Sequence, residues 1–517
     1  MPANANLYAA FQQCFPSDLD SPLLFTETGE LVSYADTDTA SARLGNALLS
    51  LGASPGDRVS VQVDKSVENL FLYLACLRSG LVYHPLNPAY TESELAYFLA
   101  DAQPTVVVCD DSSFANMERA LSGDNIRVGA SGVRALLTLG DSAEGGAPGT
   151  LMHQASRADS ELNPANSDGT DVAALLYSSG TTGKPKGIPL SHDNLRSNAN
   201  TLVGAWGFTS ADRLLHALPI YHVHGLFVAL GCVLMSGSSM VWHARFSDAT
   251  AIAAMPECTV MMGVPTYYTR LLGNSQFGRE CASHMRLFVS GSAPLLKETF
   301  IEFCERSGHT ILERYGMTET GMNTTNPLRG ERRAGTVGAA LPGVNLRVLD
   351  DEGRPLECDL PGNLQVKGPN VFAGYWRMPA KTAEDFTADG FFNTGDKASI
   401  DKDGYVSIVG RAKDMIISGG LNVYPKEIEL VIDELEGVVE SAVIGVPHAD
   451  FGEAVVAVIV TATLPSTPLE VMEHCRRKLA GFKLPKRIEV LEALPRNAMG
   501  KVQKNRLREQ YADACLH

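Results

Sequence analysis

Residues 175–195 read LLYSSGTTGKPKGIPLSHDNL. An apolar start gives way to a short stretch crowded with serine, threonine, glycine and lysine. Glycines let a backbone close around a polyanion, while amide N–H groups, hydroxyls and a lysine supply donors and charge. Phosphate binding is therefore the chemistry expected of this loop; a plain surface turn is the alternative. Its spacing is not that of the ATPase loop G-x-x-x-x-G-K-[ST], because Lys184 and Lys501 follow glycines but precede Pro185 and Val502. The chain contains no G-x-G, which excludes the dinucleotide and kinase glycine fingerprints. A second group, YHVHG, holds His222 and His224. A His-x-His pair invites a metal, but no cysteine or third histidine follows at ligand spacing, so core, loop or substrate-facing histidines are expected instead.

The elements that must position these groups alternate. RVSVQV (58–63), PTVVVCD (104–110), CTVMMGVP and MRLFVSGSA read as strands, and SVENLFLYLACLRSG has helical spacing with a glycine stop. Strand–helix alternation over some four hundred residues predicts an α/β protein with parallel sheets and ligands at the loops after the strands. The segment 142–167 is expected to be a surface loop. After about Thr394 the character changes. DKDGYVSIVG reads as a hairpin with its turn at 401–404, and the remainder as a compact α+β unit. The expected division is 1–412 for a large domain and 413–517 for a small one.

At 517 residues the chain is too long for one core. A net charge of -16 argues against a nucleic-acid partner while leaving room for an anionic ligand held locally. The ten cysteines form no CxxC pair, which favours a reducing compartment. The start lacks a signal-peptide pattern and no apolar run is long enough to span a bilayer. A cytoplasmic protein with no membrane partner is expected, as a monomer or weak homo-oligomer.

YSSGTTGKPKG resembles the phosphate-binding signature of the acyl-adenylate-forming superfamily of acyl-CoA synthetases, adenylation domains and luciferases. RYGMTE (314–319), TGD (394–396), GRAKDMIISGGLNVYPKEIE (410–429) and PRNAMGK (495–501) follow in that superfamily's order. HALPIYHVHGLFVA, MGVPTYYTRLL, HMRLFVSGSAPLL and VIGVPHADFGEAV are similar to segments of its malonate-activating members.

The resemblance implies a fold of stacked α/β subdomains with a small mobile α+β domain. It also implies ATP, Mg²⁺ and coenzyme A, and a reaction through an acyl-adenylate. Ser178, Ser179, Gly180, Thr181, Thr182, Gly183 and Lys186 would surround the phosphates, with Thr318 at the α-phosphate and Glu319 holding the magnesium ion. Glu319 could otherwise open a helix. Ser292, Ala293, Glu313, Arg314, Tyr315 and Gly316 would line the nucleotide site. Asp396 and Arg411 would reach the ribose, although an aspartate in NTGDK is also a common turn residue. Lys501 would bridge carboxylate and α-phosphate; a solvated lysine is the alternative. Lys413 matches the hinge, and Gly419 and Gly420 would lie along pantetheine unless they are plain turn glycines. His222 and His224 would line the acyl pocket and thiol channel, His222 also with a catalytic part; which of the two faces the substrate stays open. Malonate's second carboxylate needs a buried partner. Arg286, with Ser290 as neighbour, is expected to supply it, the alternative being an ion pair with a surface acid. Methylmalonate or a monocarboxylate is the runner-up substrate, and an inactive nucleotide-binding protein the distant one.

Overall fold

The computed structural model describes residues 4–515 apart from 124–125, 127, 130–131, 141–148, 180–184, 294, 296, 412–415, 424, 436, 462–466 and 496–501. At 179, 298, 409–411, 422, 426 and 430 it describes the backbone alone. The chain divides into two compact units. The first comprises 1–88, 99–176 and 187–410; the second comprises 89–98, 177–186 and 411–517.

The first unit is built on parallel sheets. One has the strand order Ala135–Thr138, Val106–Cys109, Arg58–Gln62, Val82–Pro85, Val172–Ser179, Pro185–Ser191. The second has nine strands: Ala339–Ala340, Gly321–Thr325, Leu312–Met317, Leu287–Ser290, Val260–Gly263, Arg213–His216, Ser239–Trp242, Pro22–Thr26 and Leu31–Ser33. Its middle runs parallel from Leu312–Met317 to Pro22–Thr26, and both ends close with antiparallel pairs. These strands are short, almost wholly buried apolar runs such as VMMG and LFVS, the pattern of a sheet covered on both faces. A four-stranded sheet (Asn345–Leu349, Gly362–Lys367, Phe392–Ile400, Val406–Arg411) completes the unit. The turn predicted at 401–404 joins its last two strands, with Gly404 N donating to Asp401 O at 3.0 Å.

The helix His192–Trp206 shows how local sequence sets an element. Ser191 caps its start and Asn194 returns the bond, while Gly207 ends it at φ +59, the cap chemistry of a helix that must begin and stop at fixed residues. The expected loop at 142–167 contains a helix, Thr150–Ala155, with Leu151 and Ala155 buried. Two apolar residues four apart make one face even in a polar, glycine-rich stretch.

In the second unit the strands Leu421–Val423, Ile416–Ser418, Gly452–Thr461 and Val438–His448 form a sheet, and Arg487–Leu491 pairs with Gly452–Thr461. Lys483 is buried there and donates to Glu94 and Glu427, each at 2.7 Å. All ten cysteines are free thiols. Among the described residues no helix is long and apolar enough to cross a membrane.

Candidate active site

The strands Leu312–Met317 and Gly321–Thr325 form a hairpin whose loop is Thr318, Glu319 and Thr320. The sequence MTET therefore closes a hairpin and does not open a helix. Three asparagines hold this loop in place. Asn370 Nδ2 donates to Thr320 O at 2.7 Å, and Asn323 Nδ2 donates to Thr320 Oγ1 at 2.7 Å. Asn198, on the helix His192–Trp206, accepts from Met322 N at 3.0 Å and donates to Met322 O at 2.9 Å. Phe372 N adds a bond to Glu319 O at 2.9 Å. Gly321 has φ +56, and a Cβ there would lie 2.7 Å from Asn198 Oδ1; only glycine meets both demands. Glu319 is buried, so the loop presents a fixed carboxylate.

Side chains alternate across the strand leading into this loop. Glu313 and Tyr315 take one face. Glu313 is buried and accepts from Gly335 N at 3.4 Å. Burial pushes its carboxyl up to about 7, against the pull of backbone hydrogen bonds. The Tyr315 hydroxyl donates to Asp396 Oδ2 at 2.5 Å, and Asp396 N donates to Thr394 Oγ1 at 3.1 Å. Ser290 pairs in register with Glu313 and so shares this face; its hydroxyl is buried without a partner among the described residues. Arg314 takes the opposite face. It is 4% exposed, and its Nε and Nη2 have no hydrogen-bond partner among the described residues. Its guanidinium lies against Gly291, where a Cβ would stand 2.3 Å from Cζ. Burial lowers its pKa to about 10, so it stays charged near neutrality.

His222 and His224 enter a one-turn π-helix, His224–Ala229, a distortion that recurs at functional sites. Gly225 permits it, because a Cβ there would meet Pro219 O at 2.0 Å. Lys65 braces the turn from behind. It donates to His216 Nδ1 at 2.8 Å, which leaves the proton on Nε2 to donate to Gly225 O at 3.0 Å. Nε2 of both His222 and His224 is buried without a partner among the described residues. His224 Nδ1 lies 3.4 Å from Ser292 Oγ, and Ser292 sits at φ +71, a conformation a non-glycine residue rarely takes. Ala293 follows, half-buried, in the same loop. Burial holds His222 down at about 4 and holds His224 well below the usual histidine range, with Arg314 and the other histidines adding to the latter shift. Both rings are therefore neutral near pH 7. Among the described residues no group of three or more potential metal ligands forms, so this pair has no third ligand there.

Arg286 is a correction. Its Nε and Nη2 donate to the two oxygens of Asp212 at 2.7 and 2.9 Å, and Nη1 donates to Trp206 O at 2.9 Å. It precedes the strand Leu287–Ser290, at the end of the sheet opposite Gly291 and the Thr318–Glu319 loop. All three nitrogens of its fork are engaged, and at the wrong strand end, so it does not join the site and Ser290 is not its neighbour.

Ser178 and Lys186 lie on the strands that flank the glycine-rich loop, and Lys186 is buried. Gly180, Thr181, Thr182, Gly183, Lys413 and Lys501 lie outside the described residues, as do the side chains of Ser179 and Arg411. Gly316 continues the hairpin strand; a Cβ there would meet Gly321 O at 2.1 Å. Gly419 and Gly420 have φ +59 and +79 and join Ser418 to Leu421. A two-residue hairpin turn needs positive φ at both positions, so the turn alone accounts for these glycines.

Sequence reasoning missed the asparagine clamp, the Tyr315–Asp396 bond and the orphaned donors of Arg314. The signal for the last was present: ILERYGM sets an arginine inside a strand otherwise suited to burial.

A family model described as AMP-binding enzyme matches residues 14–376, and one described as AMP-binding enzyme C-terminal domain matches 427–501. The ATP-bound structure of MatB from Rhodopseudomonas palustris superposes with a TM-score of 0.77 at 49% identity, covering 99% of both chains. A malonate–CoA ligase of Arabidopsis thaliana is 35% identical over 89% of this chain and 78% of its own. A sulfoacetate–CoA ligase of Cupriavidus necator is 36% identical over 94% of each.

Proposed function

The chain belongs to the AMP-binding enzyme family and is an AMP-forming acid–CoA ligase, and from that premise we propose that its acid is malonate. The observation that carries this reading is the polarity of the ground around Arg314 and His224. A site for a plain hydrocarbon acid has no use for buried Nε and Nη2 donors on an arginine, or for the buried Nε2 atoms of two neutral imidazoles, none of which meets a partner among the described residues. An acid with a second anionic group does. The likeness to a malonate–CoA ligase points the same way. The sulfoacetate–CoA ligase relative favours one second reading, since sulfoacetate also carries a distal anion.

The reaction runs in two halves. A malonate carboxylate oxygen attacks the α-phosphorus of ATP, and diphosphate leaves. The CoA thiol then attacks the acyl carbon of malonyl-adenylate, and AMP leaves with the oxygen that made the carboxylate a poor substrate. Most of the catalysis is positioning and charge stabilisation. The clamped loop holds Thr318 and Glu319 at the nucleotide, and Asp396, oriented by Tyr315, accepts from the ribose hydroxyls. Ser178, Lys186 and the glycine-rich loop surround the phosphates, and Lys501 bridges the reacting oxygens. Glu319 offers one hard carboxylate oxygen donor, which suits Mg²⁺ completed by phosphate oxygens and water; the ion would neutralise phosphate charge. The small domain, 413–517, turns about Lys413 between the halves and brings the Gly419–Gly420 turn to CoA.

Purified protein given ATP, Mg²⁺, CoA and malonate is expected to yield AMP, diphosphate and malonyl-CoA in equal amounts. Formation of ADP, or faster turnover of acetate than of malonate, overturns the proposal.

A further inference from the structure

We infer that Lys65 is a positioning residue of the acyl site: its ammonium fixes which nitrogen of His216 carries the proton, and His216 in that form holds the turn that presents His222 and His224. The part those two histidines play rests on the function proposed above; the hydrogen bonds behind them do not.

Lys65 lies between the strand Arg58–Gln62 and Ser66, the N-cap of the helix Val67–Arg78. The residue is half-buried, but its Nζ turns to the carboxyl ends of two strands of the nine-stranded sheet. It donates to His216 O at 2.7 Å, His243 O at 2.6 Å and His216 Nδ1 at 2.8 Å. His216 ends the strand Arg213–His216, and His243 follows Ser239–Trp242. Nζ also lies 4.1 Å from the centroid of the Trp242 ring, a place that favours a cation. Parallel sheets keep their ligands at the carboxyl ends of the strands, so this lysine ties two sheets together directly behind the site.

The contacts leave one arrangement of protons. Carbonyls only accept, and His216 Nε2 faces Gly225 O at 3.0 Å, so Nε2 must carry a proton. An ammonium has three N–H groups for its three acceptors, and His216 Nδ1 then gives its lone pair. The other possibility moves a proton from lysine to the ring, but lysine is the stronger base by about four units. Burial lowers the pKa of both groups; Glu27 supports the lysine charge, while Lys65 itself pushes His216 further down.

The turn depends on that proton. Gly225 O accepts from Leu230 N, the five-residue step of the π-helix, and from His216 Nε2. Pro219 O crowds the glycine, so the backbone has little room to move. His224 adjoins Gly225, and Leu226 N donates to His222 O at 2.9 Å, so a turn held at Gly225 holds both imidazoles. Without Lys65, two carbonyls lose their donor. A proton on Nδ1 would serve His216 O, which already acts on its own ring, and a bare Nε2 would then face Gly225 O, lone pair against lone pair.

The test is diphosphate exchange into ATP driven by malonate, with the wild type, Lys65→Met, His216→Gln and the double variant. Glutamine has an amide N–H for Gly225 O that needs no lysine to fix it. Lys65→Met is expected to cut kcat/KM for malonate about ten- to a hundredfold, the cost of a misplaced site group, with the KM for ATP changed less than about twofold. His216→Gln should lose less than about fivefold, and adding Lys65→Met to it should cost no more than about twofold further. Full activity in Lys65→Met, losses that multiply in the double variant, or equal rises in KM for ATP and malonate overturn the role of Lys65. Nitrogen-15 resonances of labelled histidine, with His216 assigned by its loss in His216→Gln, read the proton directly. Nε2–H is expected in the wild type, with a shift toward Nδ1–H or the imidazolium in Lys65→Met. Nδ1–H in the wild type, or an unchanged signal in Lys65→Met, overturns the proposal. Should Lys65→Met fail to fold, the wild-type signal still decides, together with His216→Phe, which should fall at least about tenfold below His216→Gln because it has no donor; equal activity of the two overturns it. A wild type that takes another acid removes malonate as the substrate but leaves Lys65 standing if the same coupling appears with that acid, and its absence there removes both.

Discussion

Arg286 and Asp212 are joined by two hydrogen bonds, Nε to Oδ1 at 2.7 Å and Nη2 to Oδ2 at 2.9 Å. Thr259 Oγ1 and Thr209 N donate to the same carboxylate at 2.7 and 2.9 Å. The group ties the starts of three adjacent strands, Arg213–His216, Val260–Gly263 and Leu287–Ser290, to the end of the helix His192–Trp206, through Trp206 O. Arg286→Met should therefore cost stability, about 1–3 kcal/mol, because a largely buried carboxylate loses its charged partner. The preference for malonate over acetate should not move. Burial works to raise the Asp212 pKa, but the bonds from Arg286 and Thr259 outweigh it and the net shift is downward. This stabilisation is then present above the ordinary aspartate range and lost as pH falls through the depressed folded value. Urea titrations at pH 7 and pH 3 check both points: the gap between wild type and variant should shrink at the lower pH.

Glu313 titrates in the opposite sense. Its carboxyl is raised from an ordinary 4.5 to about 7, chiefly by burial. Between those values the folded chain keeps a proton that the unfolded chain has lost, so stability falls as pH rises across that window. Glu313→Gln mimics the protonated form. It should flatten the decline in Tm between pH 4.5 and pH 7 and leave the variant more stable than the wild type at pH 8. Parallel Tm curves for the two proteins would show that Glu313 contributes nothing to the slope.

Period and composition made the parallel strands and the 401–404 turn legible, because burial on both faces and positive φ leave marks in residue type. The six-residue helix Thr150–Ala155 was hidden, since two apolar residues in a polar stretch carry too little pattern. The site was legible as motifs but not as contacts. Nothing in the spacing of Asn198, Asn323 and Asn370 announces that they converge on one hairpin loop. Arg286 misled because an arginine beside an apolar strand reads the same at either end of the sheet, and its partner Asp212 lies 74 residues away. Arg314 stood in plain view within RYGMTE, where the motif drew attention to the threonine and glutamate.

Tyr315 orients Asp396 through one hydrogen bond. Tyr315→Phe keeps the ring and removes the donor. If Asp396 holds the ribose, its loosened carboxylate should raise the KM for ATP about three- to tenfold, the worth of one hydrogen bond of roughly 0.5–1.5 kcal/mol, and leave kcat and the KM for malonate nearly unchanged. Asp396→Asn should act in the same direction and more strongly. A fall in kcat with the KM for ATP intact would place this pair outside nucleotide binding.

Lys501 separates the two half-reactions. It follows the PRNAMG segment and precedes the basic helix Lys504–Gln510. In the proposed mechanism its ammonium neutralises charge as a carboxylate oxygen meets the α-phosphate, an encounter between two anions. The second half brings a thiol to a carbonyl carbon and has no such encounter. Lys501→Ala should thus abolish malonate-dependent diphosphate release while sparing thioester formation from malonyl-adenylate supplied directly. Electrostatic stabilisation by a single donor at a reacting centre is worth about a hundred- to a thousandfold in rate, so the first half should fall at least that far and the second by only a few-fold. Lys501→Arg retains charge with a different shape and should recover part of the first half. Thermal unfolding of each variant guards against general damage. If both halves decline together at unchanged Tm, the lysine serves something common to them, such as holding the nucleotide, and the assignment to adenylation fails.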